Sequence, residues 1–431
     1  MKKIIQLKLK ILAKLILAKY KPEIIGITGS VGKTSTKEAV YAVMSGKYKV
    51  RQNRENYNNE FGLPLTILGA SSPGRSLFGW VLVFLKAARL LISRDKNYPK
   101  ILVLEMGVDR PGDMKYLNSI AKCKVGLVTT IGPSHMEFFG SLENIQKEKG
   151  ELIENLAKGG WAILNYDDEK ARELTVKSRV KVLTYGLGHN ANIRAQELSF
   201  SFENSREIDN LRGISYKLKS KDSFVPVLLP EVIGLNAVYA SLAAAAVGIA
   251  YGLNLVEISK NLRKFNSPKG RMNLISGIKH TLIIDDTYNS SPQSAMAALD
   301  IIKKIPLVKG ASKFAILADM LELGSYSEAG HREVGKYLAG SGINKLIVVG
   351  ERAVDIGKGA EAAGMASDNI FYYSRVEDAG KFVQGRIHEG DLILVKGSQG
   401  MRMEKLVKEI MAEPLRAKEL LVRQSEDWLN K

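Results

Sequence analysis

The residues with the clearest chemical potential form the glycine-rich segment GITGSVGKTST at positions 26–36. The segment follows a β-like run and opens a helical pattern, which is the setting of a phosphate-binding loop. Successive backbone N–H groups and the helix N-terminus can hold phosphate oxygens there. Lys33 can reach the β- and γ-phosphates of a nucleotide, and Thr34 can place its hydroxyl on Mg²⁺. The predicted nucleotide-binding residues are Thr28, Gly29, Ser30, Gly32, Lys33, Thr34 and Ser35.

This segment is a variant of the common phosphate-loop pattern. The strict form G-x-x-x-x-G-K-[ST] requires glycine at position 27, where this chain has Ile27, so the match is to T-G-S-x-G-K-T. A glycine-rich turn that merely caps a helix is the structural alternative. The Lys33 and Thr34 pair between a strand and a helix favours the phosphate site.

Two further side chains follow predicted strands. Glu105 ends the β-like run at 101–105, and His135 comes just after the run at 125–130. In a parallel α/β sheet, a nucleotide binds at the carboxyl ends of the strands, and carboxylate oxygens suit Mg²⁺. The alternatives are a surface ion pair for Glu105 and an ordinary loop histidine for His135.

From Glu23 onward, short β-rich runs alternate with helical patterns, which predicts parallel sheets with crossover helices. The linker signal FNSPKG at 265–270 precedes a second alternating series. We expect an α/β fold with a basic leader at 1–22, a phosphate-loop domain with a mostly parallel sheet at 23–268, and a smaller Rossmann-like domain at 269–431. The predicted strands are 24–28, 101–105, 125–130, 162–165, 282–285, 314–317, 347–349 and 392–395, and the predicted helices are 33–45, 142–156 and 235–251.

The composition is that of a globular protein. The 431 residues, 45% hydrophobic and 25% charged, are enough for two or three apolar cores. A single cysteine, Cys123, excludes internal disulfides and thiolate metal clusters. We see no cleavable signal pattern and expect a cytoplasmic chain. The net charge of +18 suits several anionic partners, but no motif for reading nucleic acid accompanies it, so no nucleic-acid partner is expected.

The excess positive charge is concentrated at the start of the chain. Residues 1–22 carry seven lysines and no acid. As a helix, this leader would have an apolar side opposite a basic side, as in an interfacial helix on anionic lipid. The two sides would be Ile5, Leu9, Leu12 and Ile16, and Lys3, Lys10, Lys14 and Lys21. The alternative is a helix docked on its own domain.

A second apolar stretch lies at 77–92 and carries Lys86 and Arg89. Like the leader, it is too short and too charged to span a membrane comfortably. The two segments together suggest association with a membrane surface, and a buried helix pair is the alternative.

From about Glu23 to its end, the chain resembles a known family. The segment TGSVGKT resembles the ATP loop of the Mur ligases, which form amide bonds at the expense of ATP in peptidoglycan precursor synthesis. Segment 56–68 resembles the asparagine-rich loop of these ligases, and segments 105–117 and 132–152 resemble specifically the members that add D-alanyl-D-alanine. In the second domain, the similar motifs are PKGRM, DDTYNSSPQSAMAAL, LADMLELG and VKGSQGMRME.

The resemblance implies roles for residues near the phosphate loop. Family positions matching Thr34, Glu105 and His135 coordinate two magnesium ions. Family members also carry a lysine, fourteen residues after the histidine, that CO₂ converts to a carbamate, and Lys149 has that spacing from His135. A carbamate is an anion able to face magnesium. The alternative is an unmodified surface lysine, and Lys147 is a neighbour of the same type.

The resemblance also implies roles in the second domain. The arginine matching Arg271 reaches the γ-phosphate when the domains close, and a guanidinium suits that oxygen cluster. Positions matching Asp286 and Asn289 contact the ribose and the adenine. Lys33, His135, Lys149 and Arg271 are therefore the expected catalytic residues. The expected substrate-binding residues are Asn58 and Asn59 in the asparagine-rich segment, and Asp319, Lys396 and Ser398 in the second domain.

Three departures from the family pattern concern the acceptor substrate. About 25 residues precede Gly26, where family members usually have a domain that holds the uridine nucleotide sugar, so we expect that domain to be lacking. The segment GLNAVY has Leu235 and Tyr239 where the family has polar residues. The stretch at 77–92 is foreign to the better-known members. The acceptor is thus either a soluble UDP-linked or a lipid-linked precursor.

The implied reaction is ATP-dependent ligation. ATP phosphorylates a peptide carboxylate of a muramoyl-type precursor, and D-alanyl-D-alanine attacks the acyl phosphate. The expected cofactors are ATP and Mg²⁺, with Lys149 as a carbamate, and the expected state is a monomer. Two alternatives stay open: a related ligase with a different amine donor or a lipid-linked acceptor, and a membrane-surface nucleotide-binding module that does not ligate.

Overall fold

The computed structural model describes residues 2–54, 57–134, 136–205 and 207–429. The chain divides into two compact units. Unit 1 consists of Met1–Leu198, Tyr216–Val227 and Asn236–Asn266. Unit 2 consists of Ser199–Ser215, Leu228–Leu235 and Ser267–Lys431. The division into a leader and domains at 23–268 and 269–431 stays a prediction.

Within the described residues, the first sheet has nine strands in the order β2-β3-β1-β4-β5-β6-β7-β8-β9. Its strands are β1 Glu23–Thr28, β2 Val50–Gln52, β3 Ile101–Glu105, β4 Val125–Val128, β5 Trp161–Asn165, β6 Lys181–Gly186, β7 Ile193–Phe202, β8 Leu211–Ser220 and β9 Ser223–Pro230. The pairs from β2 to β7 are parallel. Strands β8 and β9 are neighbours joined by two residues, so they form a hairpin. The mostly parallel sheet is confirmed.

The second sheet lies in unit 2 and has the order β10-β11-β15-β12-β13-β14. Its strands are β10 Asn273–Ser276, β11 Leu282–Asp286, β12 Lys313–Ala318, β13 Lys345–Val349, β14 Ile370–Tyr373 and β15 Leu392–Lys396. Strand β10 runs antiparallel to β11, and the other pairs are parallel. Separate apolar clusters include residues of β11, β12 and β13. This is the second α/β sheet that the sequence predicts.

Helices cover both sheets. They are α1 Lys2–Tyr20, α2 Lys33–Ser45, α3 Gly62–Leu68, α4 Leu77–Ile92, α5 Asp113–Ile120, α6 Met136–Phe139, α7 Leu142–Glu154, α8 Glu169–Arg172, α9 Leu235–Ala250, α10 Leu255–Leu262, α11 Pro292–Lys304, α12 Ser327–Ala339, α13 Val354–Ala362, α14 Val376–Arg386, α15 Glu404–Ile410, α16 Ala417–Leu420 and α17 Glu426–Leu429. All residues of β3 are buried, because helices cover both faces of a parallel sheet. The predicted strands and helices agree with the structure to within two residues at each end.

The first helix, α1, is docked on unit 1. Leu9, Ala13 and Ile16 are buried in the apolar cluster that also contains residues of α3 and α4. The apolar side that would face lipid in an interfacial helix therefore packs on the protein. This is the second of the two alternatives for the leader, a helix docked on its own domain. Among the described residues, the helices are too short or too polar to cross a lipid bilayer.

Candidate active site

The phosphate loop joins β1 to α2 and depends on two glycines with positive φ. Gly29 has φ of 146°, and a Cβ there would lie 1.9 Å from the Thr129 hydroxyl oxygen. Gly32 has φ of 86° and is the N-cap of α2. Side chains rarely adopt such backbone angles. The glycines therefore let the loop turn tightly against the end of β4 and begin the helix, with its first N–H groups facing outward.

Lys33 begins α2 and its side chain folds back along the loop. The Nζ atom donates to the carbonyls of Gly29 at 2.8 Å and Ser30 at 3.3 Å. These contacts hold a cation over the loop that leads into α2. Thr34 follows and is half-buried, whereas Ser35 is buried. The predicted phosphate-site residues thus lie together.

The residues after β4 support the phosphate loop from one side. Thr129 donates its hydroxyl to the Val31 carbonyl at 2.6 Å, and the Val31 N–H donates to the Thr130 hydroxyl at 3.1 Å. Ser30 Oγ lies 2.8 Å from the Gly132 carbonyl and 3.1 Å from Ser134 Oγ. Sequence reasoning missed these hydroxyls, although the signal TTIGPS directly after a strand is visible.

Glu105 lies at the end of β3, beside the strand that enters the phosphate loop. It pairs with Ile27 of β1 and is 6% exposed. Asn58 donates to its Oε1 atom at 3.1 Å. Asn53 accepts from the Glu105 N–H at 2.9 Å and donates to its carbonyl at 3.0 Å. The carboxylate is therefore held at the carboxyl edge of the sheet, and Asn53 is a positioning residue that the sequence analysis missed.

The side chains of the two asparagines predicted to bind substrate have different hydrogen-bond partners. Asn58 contacts Glu105, whereas Asn59 Oδ1 accepts the N–H groups of Phe61 and Gly62 at 3.2 and 3.0 Å. The side-chain oxygen of Asn59 therefore stabilises the start of α3. Its role toward a substrate stays a prediction.

His135 lies outside the described residues, so its predicted magnesium contact stays a prediction. In the part of the chain that the structure describes, no three His, Cys, Asp or Glu side chains are grouped so that they could hold a metal ion. Among the described residues, the further oxygen donors that a magnesium site at Glu105 could use are the Thr34 hydroxyl and a modified lysine, together with phosphate oxygens of a bound nucleotide.

Lys149 of α7 is unlike a surface lysine. It is 2% exposed, whereas Lys147 of the same helix is exposed. Burial and the nearby charge of Lys33 lower the pKa of Lys149 to about 7, although Asp109 and Glu148 act in the opposite direction. A lowered pKa favours the neutral amine relative to an ordinary exposed lysine. The structure therefore does not support the surface-lysine alternative.

In unit 2, the predicted nucleotide and substrate residues surround the end of β11. Lys396 is 2% exposed and donates to Asp286 Oδ2 at 2.6 Å and to the Asn289 carbonyl at 2.9 Å. The Asn289 side chain accepts from the N–H of Ser290 at 2.9 Å. The lysine therefore ties the start and the end of the DDTYN segment together.

Arg271 packs against the same segment. Its guanidinium lies 4.1 Å from the centre of the Tyr288 ring, which is a cation–π distance. Among the described residues, its buried Nε atom has no hydrogen-bond partner. A donor left in this state is available to an anionic ligand.

A group of ion-paired side chains at positions 402–423 contacts the DDTYN segment. Glu404 is fully buried and accepts from Arg402 at 2.6 Å and from Arg423 at 3.1 Å. Arg423 also donates to the carbonyls of Thr287 and Tyr288. Sequence reasoning missed this group because Arg423 contacts the DDTYN segment across more than 100 residues.

Asp319 and Ser398 stabilise loops at the ends of β12 and β15. Asp319 Oδ1 accepts from the N–H groups of Arg352 and Ala353 at 3.0 and 2.7 Å. Ser398 Oγ accepts from the N–H of Leu321 at 2.8 Å. Both side chains therefore have structural partners, and their contacts with a substrate stay predictions.

Asp285 provides a stability test of this region. It is fully buried, and among the described residues its Oδ2 atom has no hydrogen-bond partner. Burial raises its pKa to about 6 from the usual 3.8, although hydrogen bonds from Thr287 oppose the shift. The folded state therefore binds the proton more tightly than the unfolded state does, and the ionised carboxylate destabilises the fold above pH 6.

We expect Asp285→Asn to raise the free energy of unfolding by about 1 to 3 kcal/mol at pH 7.5. The gain should be smaller at pH 5, because the penalty disappears as the pH falls toward the unfolded-state pKa. Urea unfolding at both pH values measures it. The exposed Asp222→Asn variant is the control and should change stability at neither pH. An equal gain at both pH values would contradict the argument.

Comparison with known proteins places this arrangement in a family. A model of the Mur ligase middle domain matches residues 27–78 and 85–248, and a model of the Mur ligase glutamate ligase domain matches residues 270–399. The UDP-N-acetylmuramoyl-tripeptide--D-alanyl-D-alanine ligase of Bacillus subtilis (strain 168) is 31% identical over 406 residues, which are 94% of this chain and 79% of that protein. The chain belongs to the Mur ligase family. The predicted family is confirmed, and with it an ATP-dependent ligase.

Further relatives of this Mur ligase agree. The enzyme of the same name from Escherichia coli (strain K12) is 28% identical over 391 residues, covering 90% of this chain and 76% of the relative. The MurF ligase of Thermotoga maritima in complex with ADP has a TM-score of 0.75 and 27% identity, covering 96% of this chain and 84% of that one. A MurF structure from Acinetobacter baumannii has the same TM-score at 25% identity, covering 93% and 79% of the two chains.

One departure of this Mur ligase from the expected pattern has a structural explanation. Tyr239 of α9 donates its hydroxyl to Asp167 Oδ2 at 2.8 Å. Asp167 also accepts from the N–H groups of Leu187 and Gly188. The tyrosine therefore secures the turn after β6.

Proposed function

We propose that this Mur ligase joins D-alanyl-D-alanine to the peptide carboxylate of a muramoyl-peptide precursor and releases ADP and phosphate. The observation that supports it most directly is the arrangement at one sheet edge. The phosphate loop with Lys33, the carboxylate of Glu105, and Lys149, whose pKa is lowered by burial and by the nearby charge of Lys33, all belong to unit 1. A protein that merely binds a nucleotide has no need of a buried lysine beside the loop.

ATP is proposed to bind with its phosphates on the loop. The N–H groups of Gly29 and Gly32 and the start of α2 suit phosphate oxygens, whereas the Ser30 N–H donates to the Thr130 carbonyl at 2.7 Å. Lys33 would move from the carbonyls of Gly29 and Ser30 to the phosphoryl oxygens, where its charge opposes the negative charge that develops during transfer. Thr28 and Ser35 would keep the loop in shape, because Thr28 donates to the Met106 carbonyl and Ser35 is buried.

Mg²⁺ is proposed to be held by Thr34, Glu105, His135 and a carbamate on Lys149. The fit rests on Glu105, an oxygen donor buried at the sheet edge that accepts from Asn58. When bound, the ion would neutralise phosphoryl oxygens and orient them. The neutral amine of Lys149 can attack CO₂ to form the carbamate, and one proton is released.

The residues of unit 2 are proposed to complete nucleotide and peptide recognition. Arg271 has a guanidinium and an unsatisfied Nε donor for the γ-phosphate. Asp286 would accept the ribose hydroxyls, and the Asn289 amide would read the adenine edge. Lys396 fixes Asp286 and Asn289 relative to each other. Asp319, Ser398 and Asn59, which support loops, would hold the peptide through those loops.

The reaction has two steps. A carboxylate oxygen of the precursor attacks the γ-phosphorus atom and ADP leaves, which forms an acyl phosphate. The D-alanyl-D-alanine amine then attacks the acyl carbon and phosphate leaves, while the nitrogen loses a proton to solvent or a base. Lys33 and Arg271 stabilise the phosphoryl charge, and the loop positions the oxygens in line.

The test uses the purified full chain with ATP, Mg²⁺ and D-alanyl-D-alanine. UDP-muramoyl-tripeptide and a lipid-linked muramoyl-peptide are supplied as separate acceptors, and mass spectrometry identifies the product. We expect one acceptor to gain a D-alanyl-D-alanine unit with one phosphate released per bond. A product formed from another amine donor would replace the proposed donor, and no phosphate release with either acceptor would overturn the proposal.

The cellular setting remains a prediction. We expect a monomer in the cytoplasm, working at the inner face of the membrane. Size-exclusion chromatography with light scattering measures the oligomeric state. A stable dimer at micromolar concentration would contradict the monomer.

A further inference from the structure

Helix α1 has a second apolar stripe that points away from the protein. Ile4, Leu7, Ile11 and Leu15 recur at helical spacing and are between 49% and 61% exposed. They lie opposite the buried stripe of Leu9, Ala13 and Ile16. A helix that is apolar on two opposite sides has one side left for another apolar phase.

Helix α4 has an exposed face of the same kind. Leu77, Phe78, Val81, Leu82, Leu85 and Ile92 are between 52% and 87% exposed. Its opposite side, Val83, Ala87 and Leu90, is buried. Single exposed apolar residues are ordinary, but a row of six on one helix face indicates an interaction surface.

The two exposed faces form one surface. Leu9, Ala13 and Ile16 of α1 and Val83, Ala87 and Leu90 of α4 belong to the same apolar cluster. Each helix packs on this core through the side opposite its exposed face, so both exposed faces point away from the core. The helices are also joined directly: Lys19 Nζ donates to the carbonyls of Leu90 and Leu91 at 3.0 and 2.7 Å. We call the exposed residues of α1 and α4 the α1–α4 face.

The charge of the residues on and around this face indicates which kind of partner binds it. Residues 1–22 contain seven lysines and no acid, and residues 61–94 contain no acid either. Lys2, Lys3, Lys8 and Lys14 are exposed on α1, and Arg75, Lys86, Arg89 and Arg94 are exposed on and beside α4. A second copy of this chain would set these cations against one another, and the nearby acid Asp95, whose charge acts on Lys86, is too little to pair them. An anionic surface satisfies both the apolar residues and the charges.

We propose that the α1–α4 face docks on the surface of an anionic lipid bilayer. The apolar residues enter the boundary between headgroups and acyl chains, and the flanking lysines and arginines contact lipid phosphates. The interaction needs neither ATP nor a ligase substrate, so it holds or fails independently of the proposed reaction.

The test is co-sedimentation of the full chain with lipid vesicles. One set consists of phosphatidylcholine alone, and the other contains about 30 mol% phosphatidylglycerol. We expect binding to the anionic vesicles, weak or no binding to the neutral ones, and release when salt rises to about 0.5 M. Absence of binding to the anionic vesicles overturns the proposal.

Matched variants locate the contact. Phe78→Ser/Leu82→Ser should weaken partitioning to anionic vesicles about tenfold or more, because both side chains leave the apolar boundary. The control Phe224→Ser/Val256→Ser removes two exposed apolar side chains of unit 1 elsewhere and should leave binding unchanged. Likewise, Lys3→Gln/Lys14→Gln should weaken binding and Lys304→Gln/Lys309→Gln should not.

Two further readouts keep the outcome interpretable. All four residues of the two apolar pairs are solvent-exposed, so circular dichroism and the thermal midpoint of each double variant should match the parent. Equal losses in the test and control pairs would overturn the assignment of the face. If light scattering shows a dimer that Phe78→Ser/Leu82→Ser dissociates, the face binds a second copy and the lipid proposal is wrong.

Discussion

Replacing Lys33 with methionine is expected to lower ATP-dependent phosphate release by about 10³-fold or more. Methionine keeps most of the side-chain length but removes the charge that lies over the phosphate loop. The Nζ contacts with Gly29 and Ser30 are made at the loop surface, so the fold should survive their loss. Phosphate release under saturating ATP and acceptor measures the effect, and circular dichroism checks the fold.

The matched control is Lys47→Met. Lys47 is exposed just beyond the other end of α2, so the control removes the same charge from the same neighbourhood of the chain. It should retain full activity. If Lys33→Met kept activity within about fivefold of the parent, Lys33 would not stabilise the transferring phosphoryl group.

Replacing Lys149 with methionine should lower the ligation rate by about 10² to 10³-fold, because the proposed carbamate could no longer form. Methionine is apolar and of similar length, so it suits a position that is 2% exposed. The comparison with Lys147→Met is informative, since that lysine lies two residues earlier in α7 and is exposed. The Lys147→Met variant should remain active.

Carbamate formation has a readout that does not depend on activity. When ¹³C-bicarbonate is added, the parent and Lys147→Met should show a carbamate ¹³C signal by NMR, and Lys149→Met should lack it. The lowered pKa of Lys149, about 7, leaves enough neutral amine for this reaction at neutral pH. A signal of equal size in Lys149→Met would assign the carbamate to another residue. If Lys149→Met were inactive but the parent showed no carbamate signal, Lys149 would have a role other than carbamate formation.

The chemistry of the phosphate loop was predictable because it depends on neighbouring residues. A glycine with positive φ, a helix N-terminus and Lys33 all lie within the eleven-residue segment at 26–36. The strands around it were predictable for a similar reason, since β1 and β3 are buried apolar runs. Position at a strand end was also enough to single out Glu105.

The supports of the site were not predictable in this way. Asn53 fixes the backbone of Glu105, 52 residues further on, and Lys396 binds Asp286 across 110 residues. Arg423 reaches the DDTYN segment from the end of the chain. Such contacts depend on which strands become neighbours, and local patterns of residue type do not specify that. The burial of Lys149 was not predictable for the same reason. A lysine on a helix is usually exposed, and only its tertiary neighbours bury this one.

The residue pattern was enough to predict that α1 is a basic helix with one apolar side, and that the stretch at 77–92 is too short and too charged to span a membrane. Whether that side faces lipid or the protein depended on packing, since α1 packs with α3 and α4, buries Leu9 and Ile16, and leaves Leu7 and Ile11 exposed. The reason is physical: helical periodicity defines the faces of a helix, but the shape of the surrounding core selects which face it covers.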